Sequence, residues 1–210
     1  MSRSATRTVG IYLYDGVEVL DFAGPFEVFS TASRLAQREA PGAPAPFRVV
    51  TIARSKAPVS ARAGLQVLPM HTLVDHPPLA LLIVPGGVDA PERGRDDLRD
   101  WIARQASRVE ILASVCTGAF LLAGAGVLDG REVTTHWEDV AELAALFPAL
   151  AVRDTGRWID DGEVITSAGI SAGIEMSLHL VSRLAGRELS IATARQMDFQ
   201  WRDANDGAPR

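Results

Sequence analysis

One run of six apolar residues, 79–84 (LALLIV), constrains the fold of this chain more than any other feature. It shows no polar alternation, a pattern typical of a strand that is buried on both faces of a parallel sheet. The run ends at residues 85–87 (PGG), a tight-turn signal, and the mostly apolar residues 109–115 form a second strand candidate that leads directly into Cys116. Because helical patterns alternate with such strands, we predict an α/β fold, a sandwich around a mostly parallel sheet.

Local patterns place the remaining elements along the chain. The predicted strands and hairpins lie at residues 9–13, 47–53, 59–61 with 65–68, from 152 onward, and 158–159 with 164–166. The predicted helices lie at residues 24–38, 96–107, 118–125, 138–146, 174–184 and 189–201, the first of them opening at Gly24-Pro25. The chain contains no internal repeat, so we predict a single domain over residues 1–210 with a polar tail from about residue 202.

Composition and charge exclude several classes of protein. Hydrophobic residues make up 47% of the 210-residue chain, the formal net charge is −5 and the pI is near 5.4. A chain without a basic stripe is not expected to bind nucleic acid, and no apolar run approaches the ~18 residues that span a bilayer. The N-terminus has no apolar core followed by a small-residue cleavage site, so we expect a cytoplasmic protein that does not contact membranes.

The chain contains one cysteine, Cys116, which excludes an internal disulfide and a cysteine-cluster metal site. His71, His76 and His179 show no metal-ligand grouping. We therefore expect no metal and no cofactor, and a small molecule as the ligand.

Cys116 stands at a predicted turn from strand to helix, where the carboxyl end of a parallel strand meets a ligand crevice. A nucleophile at such an elbow is pushed out of the sheet, and the amide N–H of Thr117 is available to stabilise an oxyanion. The small residues Gly118 and Ala119 would relieve crowding in the turn. A free cysteine is also among the most buried residue types, so an inert, packed Cys116 is the alternative interpretation.

Three other stretches supply candidate site residues. Asp21 stands just before the predicted Gly-Pro helix start, and His136 follows two threonines. Gly86 and Gly87 end a central strand, and we expect their amide groups to be free and to point into the same crevice. Each stretch also has a structural interpretation, namely a helix cap for Asp21, a plain turn for the glycines and a packing role for His136.

Taken together, these motifs resemble a known family. The stretches SVCTGAFLLAGAGVLDGREVTTHW, LDFAGPFEVF, PGG and TSAGISAGIEMSLHLV are similar to those of the ThiJ/PfpI superfamily, whose fold is related to class I glutamine amidotransferases. The resemblance covers roughly residues 8–202, and it is strongest to the isonitrile hydratase subgroup and to the sensor domains of GlxA-type AraC-family regulators. It implies a flavodoxin-like sandwich with helices on both faces of the sheet, a homodimer, and a catalytic cysteine beside an acidic residue, here Cys116 and Asp21. Thr117 stands where superfamily proteases commonly carry histidine, which matches the hydratase pattern.

The resemblance implies a cysteine-dependent hydratase that converts an isonitrile to an N-substituted formamide. In this hypothesis Cys116 attacks the substrate, Asp21 moves protons, and the amides of Gly87 and Thr117 stabilise developing charge. The Thr117 hydroxyl orients water, and His136 has either a direct or a packing role.

The alternative function is a sensor that binds small molecules or electrophiles and is not an enzyme. The C-terminal stretch GRELSIATARQMDFQWR resembles the AraC-type regulators, but the chain ends too soon after it for a helix-turn-helix unit. Hydrolysis or hydration of another C–N substrate is a third possibility, since a fold does not fix a function.

Overall fold

The computed structural model of the chain describes residues 5–201. Its helices and strands, in chain order, are β1 (Arg7–Tyr12), α1 (Val19–Glu39), β2 (Phe47–Ala53), β3 (Val59–Ser60), β4 (Gln66–Val67), β5 (His71–Thr72), β6 (Leu81–Val84), α2 (Ala90–Arg93), α3 (Asp96–Ala106), β7 (Ile111–Val115), α4 (Gly118–Gly124), β8 (Glu132–Val133), α5 (Val140–Leu146), β9 (Ala151–Val152), β10 (Trp158–Asp161), β11 (Val164–Ser167), α6 (Ala172–Ala185) and α7 (Arg187–Gln196). Two short 3₁₀ turns lie at Arg62–Gly64 and Trp137–Asp139.

The described residues form a main sheet of seven strands in the order β10-β11-β7-β6-β1-β2-β5. All neighbouring strands are parallel except the edge pair β10 and β11, which form an antiparallel hairpin. The register places Leu82 between Gly10 of β1 and Leu112 of β7. The predicted α/β fold with a mostly parallel sheet is thus confirmed.

Every residue of β6 and β7 is buried, as the unbroken apolar pattern predicts. Helices cover both faces of the sheet in two groups: α1, α6 and α7 contact one another, and α2 and α3 contact α4. Parallel strands require such cover, because each crossover helix packs against the sheet that it connects. The carboxyl ends of β6 and β7 therefore meet at one edge of the sheet, beside the segments that follow them.

The first helix begins earlier than the sequence predicts. We expected it to open at Gly24-Pro25, but α1 starts at Val19, so Pro25 lies inside the helix. A proline costs least in the first turn of a helix, and here it occupies a later turn, where it has no N–H to donate to the Asp21 carbonyl. The segment around it is buried, and the free energy of this packing outweighs the lost hydrogen bond. Asp21 thus lies in the first turn of α1 and not ahead of the helix.

Other boundaries differ by smaller amounts. The last helix ends at Gln196 instead of continuing to Trp201, and Asp198 just beyond it has a positive φ of 51°.

The predicted polar tail from about residue 202 lies outside the described residues. Within residues 5–201, no helix combines the length and the apolar character that a membrane span needs.

Candidate active site

Cys116 forms a strained elbow between β7 and α4. Its φ of 56° lies in the left-handed region, which is uncommon for any residue with a side chain. The backbone around it is held on both sides: the Cys116 amide donates to the Ser167 carbonyl at 3.0 Å, and the Thr135 hydroxyl donates to the Cys116 carbonyl at 2.8 Å. Tertiary hydrogen bonds therefore maintain a conformation that the local sequence does not favour.

Cys116 lines a pocket and is only 7% exposed. Burial raises the pKa of the Cys116 thiol, and the neighbouring Asp21 carboxyl raises it further, while the Thr117 amide lowers it. An isolated thiol in this environment holds its proton at neutral pH. A nucleophilic role for Cys116 therefore requires a group that removes this proton when a substrate binds.

Asp21 is the group that lies beside this thiol. Its side chain is completely buried, and Oδ2 accepts a hydrogen bond from the Gly86 amide at 3.0 Å. Within residues 5–201 Oδ1 has no hydrogen-bond partner, and the Cys116 thiol, a weak donor, is the side chain that acts on this carboxyl as a hydrogen-bond donor. Burial raises the pKa of Asp21 to about 7, although the Gly86 amide and the thiol act in the opposite direction. Such a carboxyl can both accept and release a proton near neutral pH.

The amides of the two strand-end glycines are not free, contrary to the sequence-based expectation. Gly86 donates to Asp21, and Gly87 donates to the Thr117 hydroxyl at 3.0 Å. The same hydroxyl lies 3.3 Å from the Gly87 carbonyl, to which it donates. These contacts join the end of β6 to the elbow after β7, because the two segments are neighbours at the same edge of the sheet. The amides thus fix the geometry of the elbow instead of facing an empty crevice.

Two glycines allow the segments around the thiol to approach closely. A Cβ atom at Gly86 would lie 2.5 Å from the Thr117 nitrogen and 2.8 Å from the Cys116 Cβ. A Cβ at Gly169 would collide with the His136 ring and would lie 3.2 Å from the Cys116 sulfur. Any side chain at either position would therefore displace the thiol or the imidazole.

His136 lines the same pocket as Cys116. Its Nδ1 lies 3.3 Å from Asp139 Oδ2 and 3.7 Å from Glu138 Oε2, which orients the ring from the side away from Gly169. A carboxylate beside one ring nitrogen fixes the tautomer and the direction of the other nitrogen. Within the described part of the chain, no three His, Cys, Asp or Glu side chains converge in a way that could hold a metal ion.

The pocket has a volume of about 250 Å³. Its lining residues are Glu18, Arg62, Gly87, Asp89, Cys116, Thr117, His136, Glu138, Asp139 and Ile170. The structure thus brings four predicted site residues into one pocket, while Asp21 and Gly86 lie adjacent to it and do not line it. The catalytic roles of all six stay predictions.

Sequence reasoning missed the charged residues of the pocket wall. Arg62 pairs with Glu18 at 3.3 Å, and Asp89 pairs with Arg93 at 2.6 Å. Glu18 and Asp89 each lie close in sequence to a predicted site residue, since Glu18 precedes Asp21 by one helical turn and Asp89 follows Gly87 by two residues. Arg62 reaches the pocket from a separate segment, so no spacing in the sequence indicates it.

Comparison with models of known protein families shows which family this chain belongs to. The model of the DJ-1/PfpI family matches residues 7–183. The chain belongs to the DJ-1/PfpI family. The resemblance to the ThiJ/PfpI superfamily that the motifs indicate is therefore confirmed.

The curated relatives of this DJ-1/PfpI protein include both an enzyme and regulators. Isonitrile hydratase of Pseudomonas putida is 31% identical over 192 residues, which cover 91% of this chain and 78% of the relative. The HTH-type transcriptional regulator GbdR of Pseudomonas aeruginosa is 31% identical over 194 residues, which cover 92% of this chain and 51% of the regulator. This chain spans about half the length of that regulator.

Solved structures show the same fold. A ThiJ/PfpI family protein from Pseudomonas syringae superposes with a TM-score of 0.82 at 26% identity, covering 98% of this chain and 81% of the other. An AraC family transcriptional regulator from Pseudomonas putida gives a TM-score of 0.76 at 23% identity, covering 91% of this chain and 99% of the other. Drosophila melanogaster DJ-1beta gives 0.79 at 21% identity, covering 93% of this chain and 100% of the other. The flavodoxin-like architecture is thus shown, whereas the function of this chain has to be argued from its site.

Proposed function

We propose that this protein is a cysteine-dependent hydratase that adds water to an isonitrile and releases an N-substituted formamide. The observation that carries the proposal is the pairing of a strained, pocket-lining Cys116 with a buried Asp21 whose pKa is raised to about 7. The 31% identity to isonitrile hydratase, over most of the length of both chains, supports the choice of substrate class.

The first step forms a carbon–sulfur bond. The thiol and the Asp21 carboxylate share one proton in the resting site, and the proton lies on sulfur because burial disfavours the thiolate. As sulfur bonds to the terminal carbon of the isonitrile, Asp21 accepts the thiol proton and passes it to the same carbon. The product is a thioimidate, in which sulfur is bonded to a CH group that is doubly bonded to the substituted nitrogen. Asp21 is again a carboxylate.

The second step adds water to the thioimidate. Asp21 accepts a proton from water as the hydroxyl oxygen bonds to the thioimidate carbon, and the nitrogen then takes that proton. The carbon–sulfur bond breaks as the carbonyl forms, and the hydroxyl proton returns through Asp21 to sulfur. The sum is one isonitrile and one water giving one formamide, with Cys116 and Asp21 restored. The carboxyl must change its protonation state repeatedly, and a pKa near neutrality suits that task.

Thr117 contributes to the proposed reaction through its backbone amide and through its side-chain hydroxyl. Its amide acts on the Cys116 sulfur and lowers the pKa of the thiol, so it stabilises negative charge that develops there during the reaction. Its hydroxyl is bonded to both polar groups of the Gly87 peptide, and it thereby holds the end of β6 against the elbow. We therefore assign Thr117 to charge stabilisation through its amide and to positioning through its hydroxyl.

The test is the conversion of cyclohexyl isocyanide to N-cyclohexylformamide, followed by chromatography. Wild type should convert the substrate, and Cys116→Ala should abolish conversion while its circular dichroism stays native. Ser114→Ala is the matched control, because it removes a buried hydroxyl from β7, the strand that ends just before Cys116, and this hydroxyl has no hydrogen-bond partner within residues 5–201. Conversion at the wild-type rate by Cys116→Ala would disprove the mechanism.

The second candidate is a sensor of small molecules or electrophiles, which the equal 31% identity to a transcriptional regulator favours. A sensor would bind the isonitrile or react with it once through Cys116, without releasing formamide. Intact-protein mass spectrometry separates the two functions. A persistent adduct with no product supports the sensor, and product without a lasting adduct supports the hydratase.

Two further properties belong to the proposal. A homodimer is implied by the family resemblance, a cytoplasmic location is the expectation from the sequence, and both stay predictions. Size-exclusion chromatography with light scattering measures the first, and fractionation of cells that express the protein measures the second.

A further inference from the structure

Arg93 connects two walls of the Cys116 pocket that are distant in sequence. Its guanidinium binds Asp89 with two nitrogens, at 2.6 and 3.3 Å, and binds Glu142 with the third at 2.6 Å. The same group lies 3.8 Å above the centre of the Phe120 ring, which is fully buried on α4. One side chain thus joins α2, α4 and α5.

Each partner of Arg93 belongs to a segment that shapes the site. Asp89 lines the pocket, and it follows the Gly86-Gly87 turn that contacts Asp21 and Thr117. Glu142 lies on α5, one turn after Asp139, the residue that pairs with the His136 imidazole. Phe120 lies in the helix that directly follows the Cys116 elbow. Arg93 therefore contacts the three segments that carry the Cys116 elbow, the strand-end turn and Asp139.

The chemistry of this position requires arginine. A planar guanidinium can bind one carboxylate with two nitrogens, bind a second carboxylate with the third, and still stack on an aromatic ring. A lysine ammonium carries the same charge but has neither the fork nor the flat face. Burial alone would lower the pKa of Arg93. The hydrogen bonds and charges of Asp89 and Glu142 outweigh this effect and raise the pKa, so the side chain stays charged.

We propose that Arg93 is a positioning residue for the reaction, which it serves by holding the wall that carries Asp89 against the wall that carries His136 and Asp139. The inference rests on the proposed hydratase function for its catalytic readout. Arg93 does not line the pocket, so it acts through these neighbours and not on the substrate. Without it, α5 and the loop after β6 lose their charged link, and the imidazole is no longer held at a fixed distance from the thiol.

The experiment compares Arg93→Met, Arg93→Lys and Glu142→Gln with wild type. It measures kcat and KM for cyclohexyl isocyanide, the rate at which iodoacetamide alkylates Cys116, and the melting temperature. Alkylation reports on this site alone because Cys116 is the only cysteine. Arg99→Met is the matched control, since Arg99 pairs with Asp96 at 2.7 Å on the exposed side of α3, away from the pocket.

Arg93→Met should lower kcat/KM by roughly 10- to 100-fold, the cost of a small displacement of reacting groups, and should also speed the alkylation of Cys116. The turnover rate falls while the alkylation rate rises, because a loosened pocket wall exposes the Cys116 thiol and also moves the groups around it out of position. Arg93→Lys should recover part of the activity, and Glu142→Gln, which leaves the Asp89 pair intact, should show the same changes in smaller measure.

A purely structural Arg93 would give a different result. The melting temperature would fall, while kcat/KM and the alkylation rate, measured well below the melting temperature, would match wild type, and that outcome overturns the proposal. If Arg93→Met does not fold, Glu142→Gln decides the question with the same readouts. If wild type converts no isonitrile, the hydratase proposal fails, and the alkylation rates still test whether Arg93 holds the pocket walls.

Discussion

Asp21 and Glu92 are both buried carboxyl groups near the carboxyl edge of the sheet, and their surroundings differ. Glu92 accepts a hydrogen bond from the Tyr12 hydroxyl at 2.6 Å, and its other oxygen lies 3.5 Å from Arg95 and 3.9 Å from Arg54. Asp21 receives one backbone amide, and within residues 5–201 its second oxygen has no conventional partner. Both side chains are almost inaccessible to solvent, so burial alone does not distinguish them.

The difference lies in what compensates the charge. Two guanidinium groups and a phenol surround the Glu92 carboxyl, an arrangement typical of buried carboxylates in structural networks. Among residues 5–201 no cation contacts Asp21, and the neighbouring group is a thiol that competes for the same proton. A carboxyl that is incompletely compensated is costly for stability but useful for proton transfer. The comparison therefore predicts a catalytic role for Asp21 and a structural one for Glu92.

The largest expected effect is on catalysis. Asp21→Asn should lower kcat by about 10²- to 10⁴-fold, the range that general acid–base groups contribute, because an amide cannot shuttle the proton of Cys116. Glu92→Gln is the matched control and should keep kcat close to wild type, since Glu92 does not line the Cys116 pocket. Steady-state kinetics with cyclohexyl isocyanide measures both. Equal losses in the two variants would remove the distinction between the two carboxyl groups.

The pH dependence of stability tests the same distinction without catalysis. The pKa of Asp21 is about 7 in the folded protein against an ordinary value of 3.8, so the native state holds this proton more tightly than the unfolded chain. The contribution is therefore fully present below pH 3.8, falls as pH rises, and is lost above pH 7. The shift corresponds to roughly 4 kcal/mol of unfolding free energy. Urea unfolding of wild type and Asp21→Asn from about pH 4 to pH 8 measures it, and parallel curves for the two proteins would contradict the assignment.

Sequence reasoning could predict the parts of this site that depend on local pattern. The apolar runs before residue 85 and before Cys116 predict buried strands, and their register brings the two turns to one edge of the sheet. The positive φ of Cys116 was not predictable, because hydrogen bonds from Thr135 and to Ser167 maintain it. The proximity of Asp21 to the thiol followed from the family resemblance alone, since its helix starts upstream of the expected proline signal.

The ionic contacts around the pocket could not be predicted from the sequence either, because they join segments that are distant in the chain. Arg93 and Glu142 are 49 residues apart, and no spacing rule links an arginine to a carboxylate over that distance. The amides of Gly86 and Gly87 looked free because the partners that occupy them, Asp21 and Thr117, come from other segments. Periodicity thus predicts elements, whereas the pairing of polar groups is decided only when the elements pack together.

Replacing Glu92 and replacing Asp21 should change the stability at neutral pH in opposite directions. Glu92→Gln should cost about 1 to 3 kcal/mol of unfolding free energy at neutral pH, because it weakens a buried charge-assisted hydrogen bond and leaves Arg54 and Arg95 without their carboxylate. Asp21→Asn should stabilise the protein at the same pH, since it removes an uncompensated buried charge. Denaturant midpoints with unchanged m-values measure both effects. A Glu92→Gln variant as stable as wild type would show that its network adds nothing to the fold.

The smallest expected effect concerns His136, whose imidazole lines the same pocket as Cys116. Its imidazole packs on Gly169 and pairs with Asp139, and no hydrogen bond to Cys116 is formed among the described residues, so we expect it to orient the site and not to replace Asp21. His136→Asn should therefore lower kcat/KM by about tenfold, the lower end of the range for groups that support reacting residues. The pH profile of kcat should keep its inflection near neutrality, because Asp21 is still present. The opposite result would be an inflection that disappears in His136→Asn and survives in a weakly active Asp21→Asn. The imidazole would then carry the proton, and the contrast between Asp21 and Glu92 would concern stability alone.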